Sequence, residues 1–195
     1  FKAVSIDAPV TGRQFSSSAL SAAEQIKLTI KNLDNITSSG SYDLSYRVNG
    51  GAIITETDNI NIAALGSRTH TFASTAAFAS PGIFVIKSWV TKTGDTHPLD
   101  DTVTTTVKNL ANPLLVLPVN DGFESTTIKD YTSNTIGLDG DDRADFKIGS
   151  TRSRARTFVN TGFALNGNRA ITLDQTPYGA LATDSLLMTW NLNNY

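Results

Sequence analysis

The sequence predicts an all-β protein, with an immunoglobulin-like β-sandwich followed by a second, less regular β domain. Apolar and polar side chains alternate along most of the chain, which is the pattern of half-buried strands. Short segments rich in Asn, Gly and Asp separate these stretches and are typical of turns. A hydrophobic content of 39% and a charged fraction of 17% indicate a folded chain rather than a disordered one.

The first predicted domain covers residues 1–110 and contains about seven short strands, as an immunoglobulin-like sandwich does. In "QIKLTIK", Ile26, Leu28 and Ile30 alternate with polar residues, and "YDLSYRV" repeats the pattern before the hairpin turn "NGG". "GIFVIKSWV" is apolar on both faces, so we expect it at the centre of a sheet. The candidate strands in order are "KAVSID", "QIKLTIK", "YDLSYRV", "AIITET", "SRTHTFAS", "GIFVIKSWV" and "DTVTTTV".

Residues 111–118 are predicted to link the two domains. Pro113 and Pro118 bracket the apolar run "LLVL", and proline cannot donate to a central strand ladder. The alternative is a last strand of the same sandwich. The second domain, residues 119–195, has the candidate strands "ADFKIGS", "ARTFVNT", "RAITLDQ" and "DSLLMTWNL". It is short for a sandwich, so we expect a partial domain, and a chain that begins at Phe1 without Met is expected to be a processed protein or a piece of a longer one.

Composition bears on several function classes. A net charge of −2 argues against a nucleic-acid partner, because phosphate binding needs a clustered basic face. No apolar run approaches the ~20 residues of a membrane span, so no membrane insertion is expected. The absence of cysteine excludes disulfides and thiolate sites. His70 and His97 are the only histidines, and no nucleophile motif accompanies them, so we expect no enzymatic activity.

The loop "GLDGDDRADF" is a candidate metal site. Its carboxylates could bind Ca²⁺, which takes six to eight oxygen ligands. The loop does not follow the EF-hand pattern, since Ala144 stands where that pattern needs Gly and Ser150 where it needs Glu. Asp-Gly and Asp-Asp are also ordinary turn chemistry, and a plain turn is the favoured interpretation. The candidate calcium ligands are Asp139, Asp141, Asp142 and Asp145.

A second candidate site is "TRSRAR", in which Arg152, Arg154 and Arg156 recur at every second position. On a strand these side chains project from one face and could bind an acidic polysaccharide. The alternative, which we favour, is a charged edge strand or a set of ion-pair partners for the Asp loop. Trp89 and Trp190 lie in apolar strands and are predicted to be core residues.

Several stretches together resemble known bacterial surface modules. "GDTHPLDDTVTTTV" and "LTIKNLDN" resemble strands of the cell-adhesion-related bacterial immunoglobulin-like domains. "LPVNDGFES", "GLDGDDRADF", "NGNRAITLD" and "TDSLLMTWNLNNY" resemble the start of a MAM-like jelly-roll module found in large surface proteins of gliding Bacteroidota. The resemblance covers most of the chain and implies that residues 119–195 are a partial jelly roll.

The resemblance implies a non-catalytic structural or adhesive module of a large bacterial cell-surface adhesin, exported by type IX secretion and associated with gliding. The alternative is an accessory, carbohydrate-binding β domain of a secreted hydrolase. The implied partners are neighbouring β modules of the same polypeptide, extracellular polysaccharide and the secretion or motility machinery. No cofactor other than calcium is expected. Such bacteria glycosylate short Asp-Ser/Thr-apolar motifs, which makes Thr102 and Ser185 candidate acceptors.

Overall fold

The protein is all-β, as the alternating pattern predicts. The computed structural model describes residues 1–13, 20–38, 40–95, 97, 99–160, 162, 164, 167–175 and 182–195. These residues form thirteen strands and no helix. The strands are β1 Lys2–Ala8, β2 Gly12–Arg13, β3 Glu24–Lys31, β4 Tyr42–Val48, β5 Ile54–Asp58, β6 Ser67–Ala76, β7 Gly82–Thr91, β8 Thr102–Leu110, β9 Asp130–Tyr131, β10 Ala144–Lys147, β11 Ser153–Val159, β12 Arg169–Gln175 and β13 Ser185–Met188.

The chain divides into two compact units between Asn109 and Leu110. Unit 1 contains a three-stranded sheet in the order β1-β3-β6 and a five-stranded sheet in the order β2-β8-β7-β4-β5. One hydrophobic core lies between them, to which Leu28 of β3 and Phe72 of β6 contribute from one sheet and Leu44 of β4 and Ile86 of β7 from the other. Two sheets that share a core form a β-sandwich.

The strands of unit 1 follow the predicted segments closely. β4 coincides with "YDLSYRV", and β7 lies between β8 and β4, so its predicted central position is correct. The turn after β4 places Asn49 at φ 50° and Gly50 at φ 72°, a conformation that these residue types tolerate. The two-residue strand β2 was not predicted. Two residues are too few to show an alternation of apolar and polar side chains, so β2 is identified only by its pairing with β8.

An Arg–Asp ion pair and a His–Glu contact join the two sheets of unit 1 at one edge. Arg68 on β6 donates from Nη2 to Asp58 Oδ2 on β5 at 2.8 Å, and His70 Nε2 lies 3.0 Å from Glu56 Oε2. Burial alone would raise the pKa of Asp58, but hydrogen bonds from the Ile60 backbone N–H and the Arg68 guanidinium hold that pKa below its ordinary value. The ionised form of Asp58 therefore stabilises this edge.

Unit 2 is built from smaller sheets. One is three-stranded in the order β12-β11-β9, and the other pairs β10 with β13. Tyr131, Leu138 and Phe146 are the largest side chains of its core. Residues 111–118, the predicted linker, belong to this unit, where Leu115 is buried and its backbone N–H donates to the Asn191 carbonyl at 2.8 Å. β9 was not predicted, because two residues carry no readable period.

Asp58→Asn is expected to destabilise unit 1 at pH 7 by about 2 kcal/mol, the scale of a hydrogen bond to a charged group. The pKa of Asp58 is lower in the folded state than in the unfolded state. The stabilisation that Asp58 provides is therefore fully present at pH values above the unfolded-state pKa, and it is lost as the pH falls through the folded-state pKa. The difference in free energy of unfolding between wild type and variant should therefore shrink as the pH falls below about 4. Urea unfolding, followed by Trp89 fluorescence in a Trp190→Phe background, measures it.

Asp43→Asn is the matched control for this experiment. Asp43 lies on the neighbouring strand, is exposed, and accepts a hydrogen bond from Thr57 Oγ1 at 2.6 Å. Its replacement should change the free energy of unfolding by less than about 0.5 kcal/mol at any pH. Equal losses in the two variants would contradict the role assigned to Asp58.

Candidate functional sites on the two units

The Asp-rich loop of unit 2 folds as a tight turn held by its own backbone. The Asp141 N–H donates to the Leu138 carbonyl at 2.8 Å, and the Leu138 N–H donates to the Ala144 carbonyl at 2.8 Å. Gly140 has φ 84°, and a Cβ at this position would lie 2.1 Å from the Ser125 carbonyl oxygen. The turn therefore requires glycine at this position.

Three of the four predicted calcium ligands are engaged by protein groups that lie apart. Asp139 forms an ion pair with Lys129, Asp142 Oδ2 accepts from the Ala111 N–H at 2.8 Å, and Asp145 Oδ1 accepts from the Gly137 N–H at 2.8 Å. Within the part of the chain that the structure describes, no three Asp, Glu or His side chains meet as metal ligands. The four-carboxylate calcium site is therefore not assembled, because these oxygens bind turn N–H groups and a lysine.

Asp141 is the exception in this loop. Its Oδ1 accepts from the Arg143 N–H at 3.2 Å, whereas its Oδ2 is buried and has no hydrogen-bond partner among the described residues. Burial, with a contribution from the nearby Asp121 carboxylate, raises the pKa of Asp141 above its ordinary value. A buried carboxylate with one oxygen left without a hydrogen bond costs free energy when it is ionised.

A cleft of about 360 Å³ lies beside Asp141. Its wall includes Trp190, whose ring stacks against the Arg143 guanidinium at 4.8 Å. Trp190 is half-buried and does not belong to the core of unit 2, so the prediction that it is a core residue is wrong. Glu124 also lines the cleft, but its Oε1 already accepts the N–H groups of Asn168 and Arg169, each at 2.8 Å. Glu124 therefore holds the start of β12.

The arginines of the second predicted site do not form one basic ridge. Arg154 and Arg156 lie on β11 and both donate to Asp174 on β12, Arg154 from Nε at 2.5 Å and Arg156 from Nε at 2.8 Å. Burial would raise the pKa of Asp174, but these hydrogen bonds hold it below its ordinary value. Arg152 lies outside the strand, in the preceding turn. The geometry favours ion pairing within the sheet over a polysaccharide site, although the partner is Asp174 and not the Asp loop.

Trp89 occupies a position that the sequence did not indicate. Along β7, Ile86, Ser88 and Val90 are buried, which turns Lys87 and Trp89 to the outer face of the five-stranded sheet. Trp89 is half-buried and does not belong to the sandwich core, so the prediction of a core tryptophan is wrong. The reason is that both faces of β7 are apolar, and hydrophobicity alone does not show which face is inward.

A shallow cleft of about 270 Å³ surrounds this tryptophan on the outer face of unit 1. We call this cleft the Trp89 platform. The strand register places Trp89 opposite Ser45 on β4 and opposite Thr102 on β8. It also places Arg47 opposite Lys87. The residues that line the platform are Arg47, Ile53, Lys87, Trp89 and Thr102.

The two candidate glycosylation residues have different surroundings. Thr102 is exposed at the start of β8 and lines the Trp89 platform. Ser185 is half-buried at the start of β13, and the preceding Asp184 accepts a hydrogen bond from the Gly149 N–H at 2.8 Å. Thr102 is the more accessible of the two, and modification of either residue stays a prediction.

Comparison with known proteins does not identify a family. The chain matches no protein-family model. A search of the curated proteins also found no significant match. Among the described residues, the structure contains no helix that is long and apolar enough to cross a membrane. The expectations drawn from the resemblance to bacterial surface modules therefore stay expectations.

Asp141→Asn is expected to stabilise unit 2 at pH 7 by about 1 kcal/mol, because it removes the charge of a buried carboxylate whose Oδ2 has no hydrogen-bond partner among the described residues. The pKa of Asp141 is higher in the folded state than in the unfolded state. The stability that Asp141 contributes is therefore present at pH values below the unfolded-state pKa, and it is lost as the pH rises through the folded-state pKa. The advantage of the variant should therefore disappear below pH ~4. Unfolding followed by Trp190 fluorescence in a Trp89→Phe background measures it.

Asp139→Asn is the control for Asp141→Asn, since its ion pair with Lys129 is solvent-exposed and should contribute less than about 1 kcal/mol. The free energy of unfolding of the wild type and of both variants is also measured in the presence of Ca²⁺. A calcium-dependent stabilisation of the wild type that Asp141→Asn abolishes would contradict the account of Asp141 as an unpaired carboxylate.

Proposed function

We propose that this chain is a non-catalytic adhesive module of a large bacterial cell-surface protein, and that it binds its ligand on the outer face of the five-stranded sheet. The observation that carries the proposal is the placement of Trp89 on that face, between Ser45 and Thr102. A large aromatic side chain on a solvent-facing sheet adds little to the core, whereas aromatic side chains are enriched at the centres of binding surfaces.

The construction of unit 1 supports the role of a rigid structural module. Its sheets share one core, and the Arg68–Asp58 ion pair at 2.8 Å joins them at an edge. A sandwich held in this way presents its outer face as a rigid surface, so a ligand there binds without ordering a loop. The resemblance of both units to surface modules of gliding Bacteroidota supports the cell-surface location, type IX export and neighbouring β modules as partners.

The same platform also supports the second candidate function, an accessory β domain of a secreted hydrolase. In that setting an aromatic face would hold the enzyme on its polysaccharide. The sequence of the parent polypeptide distinguishes the two functions. Tandem β modules support the adhesin, whereas a catalytic domain in the same polypeptide supports the hydrolase.

The adhesive function is tested with fluorescent beads that carry the full chain at equal density. We expect these beads to be retained under flow on at least one surface of a panel coated with bacterial polysaccharides, plant polysaccharides or host proteins. Trp89→Ala should reduce retention on that surface at least tenfold, the scale of losing one central aromatic contact.

Ile83→Ala is the matched control for the bead assay, because Ile83 is also a large apolar residue on the outer face of β7 but does not line the platform. It should leave retention unchanged. Retention on no surface, or equal retention of beads carrying Trp89→Ala, would overturn the proposed function.

A further inference from the structure

We infer that the Trp89 platform binds a polysaccharide that carries carboxylate groups, such as a chain of uronic acids. This inference rests on the proposed function and names the chemical class of its ligand. Three features of the platform point to this class: the tryptophan, two neighbouring cations, and the spacing of these groups along and across the strands.

The tryptophan favours a sugar ring. Its neighbours in the register, Ser45 and Thr102, have side chains too small to cover an indole, so part of the ring faces solvent. One face of a pyranose ring consists largely of C–H groups and stacks on such a surface, which buries apolar area on both partners. The indole N–H has no acceptor among the described residues and can donate to a sugar hydroxyl.

The two cations favour a ligand with negative charge. Arg47 and Lys87 are directly opposite each other on β4 and β7. Like charges in this arrangement repel, and neither has an ion-pair partner among the described residues. A carboxylate between them would neutralise the repulsion, and the planar fork of the Arg47 guanidinium matches the two oxygens of a carboxylate.

The spacing of these groups suits a chain of sugars. Lys87 and Trp89 are two residues apart on β7, which separates their Cα atoms by ~7 Å along the strand. Arg47 is opposite Lys87 on the adjacent strand β4, with ~5 Å between their Cα atoms. A sugar stacked on Trp89 would therefore place the carboxylate of a neighbouring sugar near Arg47 and Lys87. A nucleic acid is less suited, because two cations on a chain of net charge −2 neutralise few phosphates.

The inference is tested by titrating the 195-residue chain carrying Trp190→Phe, in which Trp89 is the only tryptophan, with a hexamer of galacturonic acid. Trp89 fluorescence and calorimetry report binding. We expect saturable binding that weakens at least fivefold as NaCl rises from 20 to 300 mM, since the contact with carboxylates is screened by salt. A neutral galactose hexamer should bind at least tenfold more weakly.

Platform variants locate the site. Arg47→Gln and Lys87→Gln should each weaken binding of the galacturonic acid hexamer about fivefold or more. Trp89→Ala should abolish binding, which is measured by calorimetry because this variant lacks the fluorescent side chain. Trp89→Phe keeps an aromatic ring and should retain part of the affinity, which guards against misfolding as the cause. Lys27→Gln is the control, because it removes an exposed cation from the other sheet of unit 1 and should have no effect.

Each alternative result has a defined meaning. Equal binding of the neutral hexamer, binding only to a sulfated oligosaccharide, or binding that Arg47→Gln and Lys87→Gln leave intact would overturn the inference. So would the absence of any binding to the galacturonic acid hexamer. If beads carrying the chain are nevertheless retained in a Trp89-dependent manner on another surface, the adhesive function stands and only its ligand class is wrong.

Discussion

The shared core of the sandwich in unit 1 is the constraint on which the candidate binding face depends. Ile86 and Val90 of β7 pack in this core with Leu44 of β4 and Phe72 of β6. Because side chains alternate along a strand, burial of these positions directs Lys87 and Trp89 to the opposite face. A register slip of one residue would move the indole inward and expose the core residues, so core packing also determines the outer surface.

Charged side chains serve two different purposes in this protein. Where opposite charges meet, as Arg68 with Asp58 or Arg154 and Arg156 with Asp174, they join neighbouring strands or sheets. At the Trp89 platform, Arg47 and Lys87 face each other with the same sign. That arrangement costs free energy in the isolated protein, and an anionic ligand would remove the cost. The difference separates charges that support the fold from charges available for binding.

The Asp-rich loop illustrates why the density of carboxylates alone does not define a metal site. Asp142 and Asp145 accept hydrogen bonds from the backbone N–H groups of Ala111 and Gly137, and such bonds to the backbone are the usual role of Asp in loops and turns. Gly140 permits the close approach of the loop to Ser125. Of the four aspartates in this loop, Asp141 alone has a buried oxygen without a hydrogen-bond partner among the described residues, and that property depends on packing, not on the motif.

The sequence by itself determined the all-β class and most strands, because alternation over five or more residues is visible without knowledge of neighbours; β4 and β12 coincide with their predicted segments. Only the tertiary structure decided the two-residue strands β2 and β9, which exist through pairing with β8 and β11. It also decided the placement of Trp89 and the partners of the four aspartates. The physical reason is the same in each case: alternation shows which residues share a face, whereas the side on which a face is buried, and the groups it meets, depend on elements distant in sequence.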